Sequence, residues 1–187
     1  MVASKFLRVC AALLLGLAFL TGTGVSASAA PAPEQSNVRT IRYDTSQAAE
    51  FKAAWDEGAK IWNEHVQNVE FVPGTPGDVR ILADNGWPRA QVTSLGRGTV
   101  WMGRQATQQG HYEIRIASHE LGHILGLPDR RTGLCTDLMS GASAGTTCKN
   151  PNPNAAEIAE VERNFQNGRM GFKPGAVLSE APILARH

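Results

Sequence analysis

Residues 119–123 read His-Glu-Leu-Gly-His, a set of side chains whose types and spacing could bind a metal ion. An α-helix turns by about 100° per residue, so His119 and His123 would lie about 40° apart on one face, a turn from each other. Two imidazoles at this spacing can reach one zinc ion. Glu120 would flank the pair and could act as a general base without being a ligand.

A catalytic zinc ion requires a third protein ligand and an open coordination position. Gly126 is typical of a helix end because glycine readily adopts positive φ, and Pro128 prevents the helix from continuing. Asp129 follows shortly after this break and could return a carboxylate oxygen to the metal. The sequence therefore predicts Asp129 as the third ligand beside the two histidines.

The other positions of the same segment indicate how the helix packs. We predict a helix over residues 113–125 that buries one face against a core and presents both imidazoles to a cleft. A surface helix with two solvated histidines is the alternative, but Gly126 and an acid at position 129 would rarely accompany it by chance. The apolar residues nearly opposite the histidines are Ala117, Leu121, Ile124 and Leu125.

Several further elements must position this helix. Apolar residues recur at helical spacing over residues 48–66, after potential capping residues at 44–46, and predict a long amphipathic helix. Asn154 would cap a last helix over residues 154–165, and residues 126–153 are expected to be irregular because they are rich in Gly, Ser, Thr and Pro. Short strands are predicted at 39–43, 69–72, 79–83, 90–95 and 99–102.

Composition limits the classes of protein that this chain can be. Its 187 residues correspond to one domain with removable ends, and 42% of them are apolar, which suffices for one core. Lys and Arg number 18 against 17 Asp and Glu. The chain therefore lacks the positive excess that a nucleic-acid-binding protein needs.

The N-terminal residues follow the plan of a secretory signal peptide. Lys5 and Arg8 precede an apolar run over residues 9–20, and small residues at 27–30 could form a cleavage site. The run is too short to span a bilayer comfortably, which disfavours the alternative of an uncleaved membrane anchor. We therefore predict a signal peptide at residues 1–30, a secreted, extracellular protein, and no stable membrane association once the signal is removed.

The rest of the chain divides into three predicted parts. Residues 31–37 are interpreted as a short pro-segment or a flexible N-terminus, because they are polar and rich in Pro and Ala. Residues 38–168 form the predicted functional domain. Residues 169–187 show no clear period and are interpreted as a C-terminal tail or a removable extension.

Removal of the predicted signal peptide would take Cys10 with it and leave two cysteines. In an exported chain, Cys135 and Cys148 most simply form a disulfide. The alternative is a second metal ion bound by both thiolates, but no further His or Cys accompanies them.

Several spaced motifs together resemble the snapalysin family, small secreted bacterial neutral zinc proteases of the metzincin clan. The resemblance covers about residues 38–168 and implies an α+β fold. It implies a twisted, mostly parallel five-stranded sheet with a backing helix, an active-site helix and a C-terminal helix. The motifs that carry it are His119-x-x-x-His123-x-x-Gly126-x-x-Asp129, Leu138-Met139-Ser140-Gly141, and the segments at 61–63, 96–98, 126–129 and 150–155.

The resemblance also implies a function and roles for individual residues. The chain would be an extracellular zinc-dependent endopeptidase with one zinc ion, in which a zinc-activated water attacks the peptide bond and Glu120 is the general base. Met139 would lie in a tight turn beneath the zinc without being a ligand, and Cys135 would pair with Cys148. A protein or peptide substrate would extend along an edge strand at 90–95. We expect a monomer.

This sequence departs from the family pattern at two places. Arg131 stands where the family usually has a tyrosine, and it could support an oxyanion. Family members can bind calcium just before the active-site helix, but Glu113 is the only carboxylate there, which argues against a calcium ion. No role is predicted for the remaining histidines, His65, His111 and His187.

Two alternative functions remain compatible with the motifs. One is a secreted binding or inhibitor module that keeps a zinc ion without proteolysis. Glu120 argues against it, because a closed structural zinc site has no use for that carboxylate. The other is a zinc hydrolase that cleaves a non-protein amide, such as one in a cell wall.

Overall fold

The computed structural model describes residues 38–181. The predicted signal peptide, the predicted pro-segment and the end of the predicted tail, including His187, lie outside this range. The described residues form an α+β domain in which helices pack on one mixed sheet. The predicted fold class is confirmed.

The sheet has six strands in the order β2-β1-β3-β5-β4-β6. Neighbours among β2, β1, β3 and β5 are parallel, whereas β4 is antiparallel to both β5 and β6. The resemblance implied five strands, and the sixth comes from the segment that was interpreted as a tail. The strands are β1 (Arg39–Gln47), β2 (Val69–Pro73), β3 (Val79–Asp84), β4 (Arg89–Ser94), β5 (Arg97–Gly103) and β6 (Val177–Ser179).

Four helices accompany the sheet, and three of them lie close to their predicted positions. The short helix α2 was not predicted. Among residues 38–181, none of the helices is long and apolar enough to cross a membrane. The helices are α1 (Lys52–His65), α2 (Arg104–Gln108), α3 (Glu113–Ile124) and α4 (Ala155–Asn167), with 3-10 turns at Ala49–Phe51 and Leu138–Ala144.

The predicted cap of the first helix was wrong. Residues 44–46 belong to β1, where Asp44 pairs with Arg80 and Gln47 with Leu82 of β3. The α-helix begins only at Lys52, and no side chain caps its N-terminus. Pairing of these residues with a neighbouring strand therefore prevailed over their local preference for a helix cap.

Helices α1 and α3 approach each other closely in the core. A Cβ atom on Gly58 of α1 would lie 2.9 Å from the backbone nitrogen of Ser118 in α3, so only glycine allows this approach. Trp62 is fully buried, and its indole N–H donates to the Ser118 carbonyl at 2.8 Å. The backing helix α1 thereby fixes the position of α3.

Helix α4 supports the other end of α3. The Asn154 side chain accepts hydrogen bonds from the backbone N–H groups of Ala156 and Glu157, which confirms the predicted cap. On the same helix, the Asn164 amide donates to the Leu125 carbonyl at 3.1 Å. A carbonyl at the C-terminal end of α3 thus finds a partner.

Candidate active site

His119 and His123 lie one turn apart on α3, and their ring centroids are 4.6 Å apart. Both side chains are buried, at 1% and 0% exposure. The sequence predicted that the two imidazoles share one face of a helix, and they do. The sequence also predicted that they face a cleft, but the chain beyond α4 covers them, with Glu180 beside His119 and Phe172 beside His123.

Two main-chain carbonyls orient the imidazoles. His119 Nδ1 lies 3.0 Å from the Leu138 carbonyl oxygen, and His123 Nδ1 lies 2.8 Å from that of Leu127. A carbonyl can only accept, so each Nδ1 donates a hydrogen bond. In the neutral rings, both Nε2 atoms are then unprotonated and free to bind a metal.

Asp129 reaches the histidines because the chain reverses at Gly126. Gly126 has φ of +91°, and a Cβ atom there would lie 2.8 Å from the Asn164 amide nitrogen. After this turn, Asp129 Oδ1 lies 3.3 Å from His119 Nε2 and 3.5 Å from His123 Nε2. The structure thus brings together the three residues that the sequence predicted as ligands.

Glu180 is a fourth member of this cluster, which sequence reasoning missed. Its Oε1 lies 2.9 Å from His119 Nε2, and the side chain is 4% exposed. Glu180 belongs to the segment interpreted as a tail, and no motif marks it. The only local signal is the short β-prone run Val177–Ser179 before an acidic residue.

The donor set of the cluster fits a zinc ion. Each of the four residues offers one ligand atom, and these atoms lie within 4.8 Å of one another. Ligands about 2.1 Å from a tetrahedral zinc ion lie about 3.4 Å apart, close to the separations measured here. The buried atoms without a hydrogen-bond partner include His119 Nε2, His123 Nε2, Asp129 Oδ1 and Glu180 Oε1. Buried polar atoms rarely lack partners, and a bound cation would satisfy all four.

Charge and burial shift the pKa values of the histidines in opposite directions. Burial alone would lower the pKa of His119, but the carboxylates of Glu180 and Asp129 raise it well above its usual value. Burial lowers the pKa of His123. Burial would raise the pKa of Asp129, but the two imidazoles beside it hold that pKa well below its usual range.

Glu120 lies beside the histidines on α3 and is fully buried. Neither of its carboxylate oxygens has a hydrogen-bond partner. Burial raises the pKa of Glu120 well above its usual value, and the nearby carboxylates of Glu180 and Asp129 raise it further. Such a carboxylate has free lone pairs and an increased affinity for a proton.

Met139 lies against the helix that carries the histidines. A Cβ atom on Gly122 would come within 2.8 Å of Met139 Sδ and within 3.2 Å of Trp62 Cζ2. The glycine between the two histidines therefore leaves room for the thioether. Met139 is fully buried within the 3-10 turn Leu138–Ala144, in the segment predicted to be irregular.

Two buried charged residues that the sequence did not single out hold the turn around Met139. Glu157 accepts hydrogen bonds from the backbone N–H groups of Leu138 and Met139, at 3.2 and 2.8 Å. The Arg115 guanidinium donates to the carbonyl of Asp137 at 2.6 Å and also to those of Cys135 and Asn150. The spacing of Asn154 and Glu157 is that of a capping box, a signal that could have identified Glu157.

The predicted disulfide is present. Cys135 and Cys148 are bonded, with Cα atoms 5.5 Å apart, and the closed loop contains the turn around Met139. Because both sulfur atoms are used in this bond, the alternative of a second metal ion bound by two thiolates is wrong.

The remaining predicted residues lie at the edge of the cluster or away from it. Arg131 adopts φ of +49°, and its guanidinium lies 3.5 Å from Asp129 Oδ2 and 2.5 Å from the Ser179 carbonyl oxygen. Glu113 is exposed at the start of α3. His65 contacts the Ile61 carbonyl of its own helix, and His111 lies beside the Trp87 ring.

Comparisons with known proteins identify a family and relatives for this chain. Residues 38–168 match the family model described as Streptomyces extracellular neutral proteinase (M7) family. The extracellular small neutral protease of Streptomyces caespitosus is 39% identical over 131 residues, which cover 69% of this chain and 98% of that protein. The protein of the same name from Streptomyces coelicolor is 37% identical over 132 residues, covering 69% of this chain but only 60% of that protein.

Among solved structures, the chain is similar to high choriolytic enzyme 1, a hatching enzyme zinc-protease from Oryzias latipes. The identity is 18%, the TM-score is 0.34, and the alignment covers 51% of this chain and 50% of that one. The matched family region includes the two histidines, the aspartate and the disulfide, and it ends before the segment that carries Glu180. This chain therefore belongs to the Streptomyces extracellular neutral proteinase (M7) family, as the resemblance to snapalysin predicted.

Proposed function

We propose that this chain is an extracellular zinc-dependent endopeptidase in which His119, His123 and Asp129 hold the zinc ion and Glu120 moves the proton. The observation that carries the proposal is the convergence of unpartnered, buried ligand atoms beside an unpartnered, buried carboxylate. Membership of a proteinase family supports the same conclusion.

A bound zinc ion would lower the pKa of its water to about 7 and polarise the scissile carbonyl group. In their neutral form His119 and His123 would offer unprotonated Nε2 atoms as ligands, because the proton of each ring lies on Nδ1 and is donated to a main-chain carbonyl. Asp129 contributes a negative charge. An anionic third ligand reduces the net positive charge of the centre relative to a third histidine.

Glu120 is the proposed general base and, later, the general acid. It would accept a proton from the attacking water and deliver that proton to the leaving amine nitrogen. Burial supports this role because it raises the pKa of Glu120 well above its usual value and so increases its affinity for a proton. The carboxylate oxygens are not held by other side chains, which leaves them free for both transfers.

The sequence predicted an edge strand at 90–95, but in this structure β6 pairs with β4 on that side. We propose that a peptide substrate binds in extended form along β4, in the position that β6 takes here. β4 packs against α3, the helix that carries the two histidines, and it pairs with β5 on one side and with β6 on the other. Arg131 supports this placement, since its guanidinium already holds a main-chain carbonyl of a strand paired with β4. The same group could hold a substrate carbonyl.

The chain termini are part of the proposal. Residues 1–30 would be removed as a signal peptide during secretion, and residues 31–37 would form a pro-segment or a flexible end. The secreted protein would be a monomer. Mass spectrometry of the secreted form and its sedimentation velocity test the new N-terminus and the oligomeric state.

Replacing Glu120 tests the mechanism. We expect Glu120→Gln to lower cleavage of an unfolded protein substrate by about 10²–10⁴-fold while one zinc ion still binds per chain. Equal activity of the two proteins would contradict the proposed base. A zinc-loaded wild type that cleaves no protein would favour a binding module, and cleavage confined to cell-wall amides would favour the other hydrolase.

A further inference from the structure

The C-terminal segment, residues 169–181, follows the matched family region and runs across the site in a defined path. Gly171 donates its N–H to the Gly126 carbonyl at 2.8 Å, and Gly175 donates to the Val92 carbonyl at 2.7 Å. β6 then pairs with β4, antiparallel, with Leu178 opposite Ala90. This backbone pairing occupies the edge of β4 along which we place the substrate.

Glu180 directly follows β6, and contacts of its backbone and of its side chain hold it in place. Its backbone N–H donates to the Pro88 carbonyl at 3.0 Å, and its Oε2 accepts from the Ala142 backbone N–H. Gly141 leaves the space for the carboxylate, since a Cβ atom there would overlap it. The other oxygen, Oε1, has no hydrogen-bond partner and points toward His119 Nε2 at 2.9 Å.

A second contact ties the segment to the cluster. The Arg131 guanidinium binds the Ser179 carbonyl and also lies 3.5 Å from Asp129. The residue before Glu180 is therefore linked to a candidate metal ligand. Backbone pairing, the Ala142 N–H and Arg131 together place one carboxylate oxygen among three ligand atoms, as a fourth donor would be placed.

We propose that Glu180 is the fourth ligand of the metal ion in the intact chain, and that β6 occupies the substrate's strand position, so that the intact chain is latent. The proposal rests on the function proposed above for the metal and the substrate edge. Glu180 fills the coordination position that water needs, and β6 fills the edge that the peptide needs. Displacement of the C-terminal segment frees both.

Because Glu180 belongs to the same chain as the metal site, its carboxylate competes effectively with a substrate for that site. A ligand on the same chain acts at an effective concentration on the order of millimolar. A substrate supplied at micromolar concentration would therefore be excluded unless its own affinity were much higher. The intact chain should cleave such a substrate slowly even when it is fully loaded with metal.

The test compares intact wild type with Glu180→Gln and, as a matched control, Glu70→Gln on the exposed face of β2 at the opposite end of the sheet. Each protein is loaded with Co²⁺, whose visible absorption reports the ligands of the metal. Binding of acetohydroxamate, a small chelating probe, is titrated by the same absorption. Cleavage of a micromolar fluorogenic peptide is measured separately.

We expect a changed Co²⁺ spectrum in Glu180→Gln, acetohydroxamate affinity increased by roughly tenfold or more, and a similar gain in kcat/KM. Glu70→Gln should match wild type in all three. Leu178→Pro, which removes an N–H from the centre of β6, should also increase probe affinity and cleavage because it weakens the strand. Retained far-UV circular dichroism verifies that each variant is folded.

The outcomes separate this proposal from the proposed function. Identical spectra and probe affinities in wild type and Glu180→Gln would overturn the proposal, even if both proteins cleave the peptide well. A changed spectrum with equal cleavage rates would overturn latency. A changed spectrum and tighter probe binding without cleavage by either protein would support the ligand assignment and contradict the peptidase function.

Discussion

At the metal cluster, the two histidines are oriented by main-chain carbonyls of Leu138 and Leu127. These carbonyls belong to the two chain segments that follow α3, one leading to Asp129 and the other to Met139. The direction of each imidazole therefore depends on the loops as well as on the helix. Small changes in those loops should alter metal affinity without touching a ligand.

The roles of Asp129 and Glu120 can be separated by a matched pair of amide substitutions. Asp129→Asn should weaken zinc binding by roughly tenfold or more, because a charged ligand is lost from the cluster. Glu120→Gln should leave zinc affinity close to that of wild type. Competition with a chromogenic chelator measures both constants. If zinc binding were weakened only in Glu120→Gln, the ligand would be Glu120 and not Asp129.

Gly122 tests the contact between Met139 and α3. Gly122→Ala should lower the free energy of unfolding by about 1–3 kcal/mol, because the new methyl group would overlap the Met139 sulfur and the Trp62 ring. Met139→Ala creates space at the same place. The double variant should therefore lose less stability than the sum of the single variants, as urea unfolding of all four proteins would show. Additive losses would argue against direct contact.

At the scale of elements, the turn around Met139 depends on the start of α4. Glu157 binds the N–H groups of Leu138 and Met139 and also that of Asn154. One carboxylate thus joins the capping box of a helix to the floor of the site. The sequence indicates the helix cap, but the link to the turn requires the folded chain.

Glu157→Ala should destabilise both features at once. Three backbone N–H groups would lose a charged acceptor, at a cost of about 2–4 kcal/mol. Zinc affinity should fall with it, although no ligand changes. Thermal unfolding and chelator competition provide the two measurements, and Gln166→Ala at an exposed position of the same helix is the control. If stability fell and zinc affinity did not change, the turn around Met139 would keep its position without the hydrogen bonds from Glu157.

The contact between β1 and α1 predicts a pH dependence at alkaline pH. Burial, together with Asp56, raises the pKa of Tyr43 to about 12. The folded state thus favours the protonated phenol, so this stabilisation is complete below pH about 10 and is lost as the pH rises toward about 12.

Between those limits, wild type should lose about 1–2 kcal/mol more stability than Tyr43→Phe, after allowance for solvent screening. Guanidinium unfolding of both proteins at pH 9 and pH 11.5 measures the difference. If the free energy of unfolding fell equally in wild type and in Tyr43→Phe between these pH values, the phenol would have the same pKa in the folded and unfolded chains.

Local sequence patterns were sufficient to predict most of the helices and strands. Apolar periodicity located α1, α3 and five strands, because each element buries one face. The cap predicted at residues 44–46 failed because those residues pair with β3 instead. Helix α2 and strand β6 were missed because each is too short to show a period, and their positions depend on contacts with distant residues.

The residues of the candidate site also divide into those that the sequence could predict and those that it could not. His119, His123 and Asp129 were predictable because helical geometry and one glycine turn bring them together within a short stretch of chain. Glu180 is far from them in sequence, and only the return of the chain along β4 brings it to the cluster. The capping-box spacing marks Glu157 as a residue of the helix cap. The contacts of Glu157 and Arg115 with main-chain groups of the turn around Met139 are encoded by no side-chain motif.

At the scale of the whole molecule, the candidate metal site and the main core consist of different residues. Most of the buried apolar residues of the core lie on α1, α3 and the sheet, and the four candidate ligands are not among them. Removal of zinc by a chelator should therefore leave the far-UV circular dichroism spectrum almost unchanged. It should lower the stability by about 2.7 kcal/mol relative to protein held with free zinc at a hundred times its Kd.

Differential scanning calorimetry with and without chelator checks this expectation. Asp129→Asn should show a smaller difference between the two conditions, because it binds zinc more weakly. Complete unfolding on chelation would instead mean that the metal centre is required for the core to form.

The position of β6 at the end of the sheet also affects how long the protein would persist after release from latency. Without that strand, β4 exposes a row of free amide and carbonyl groups that accept any extended polypeptide. An extended segment of a neighbouring copy could pair with β4 as well as a segment of another protein could. The rate of self-cleavage should therefore increase with the concentration of the protein whose C-terminal segment is displaced. The intact chain should remain uncleaved at every concentration.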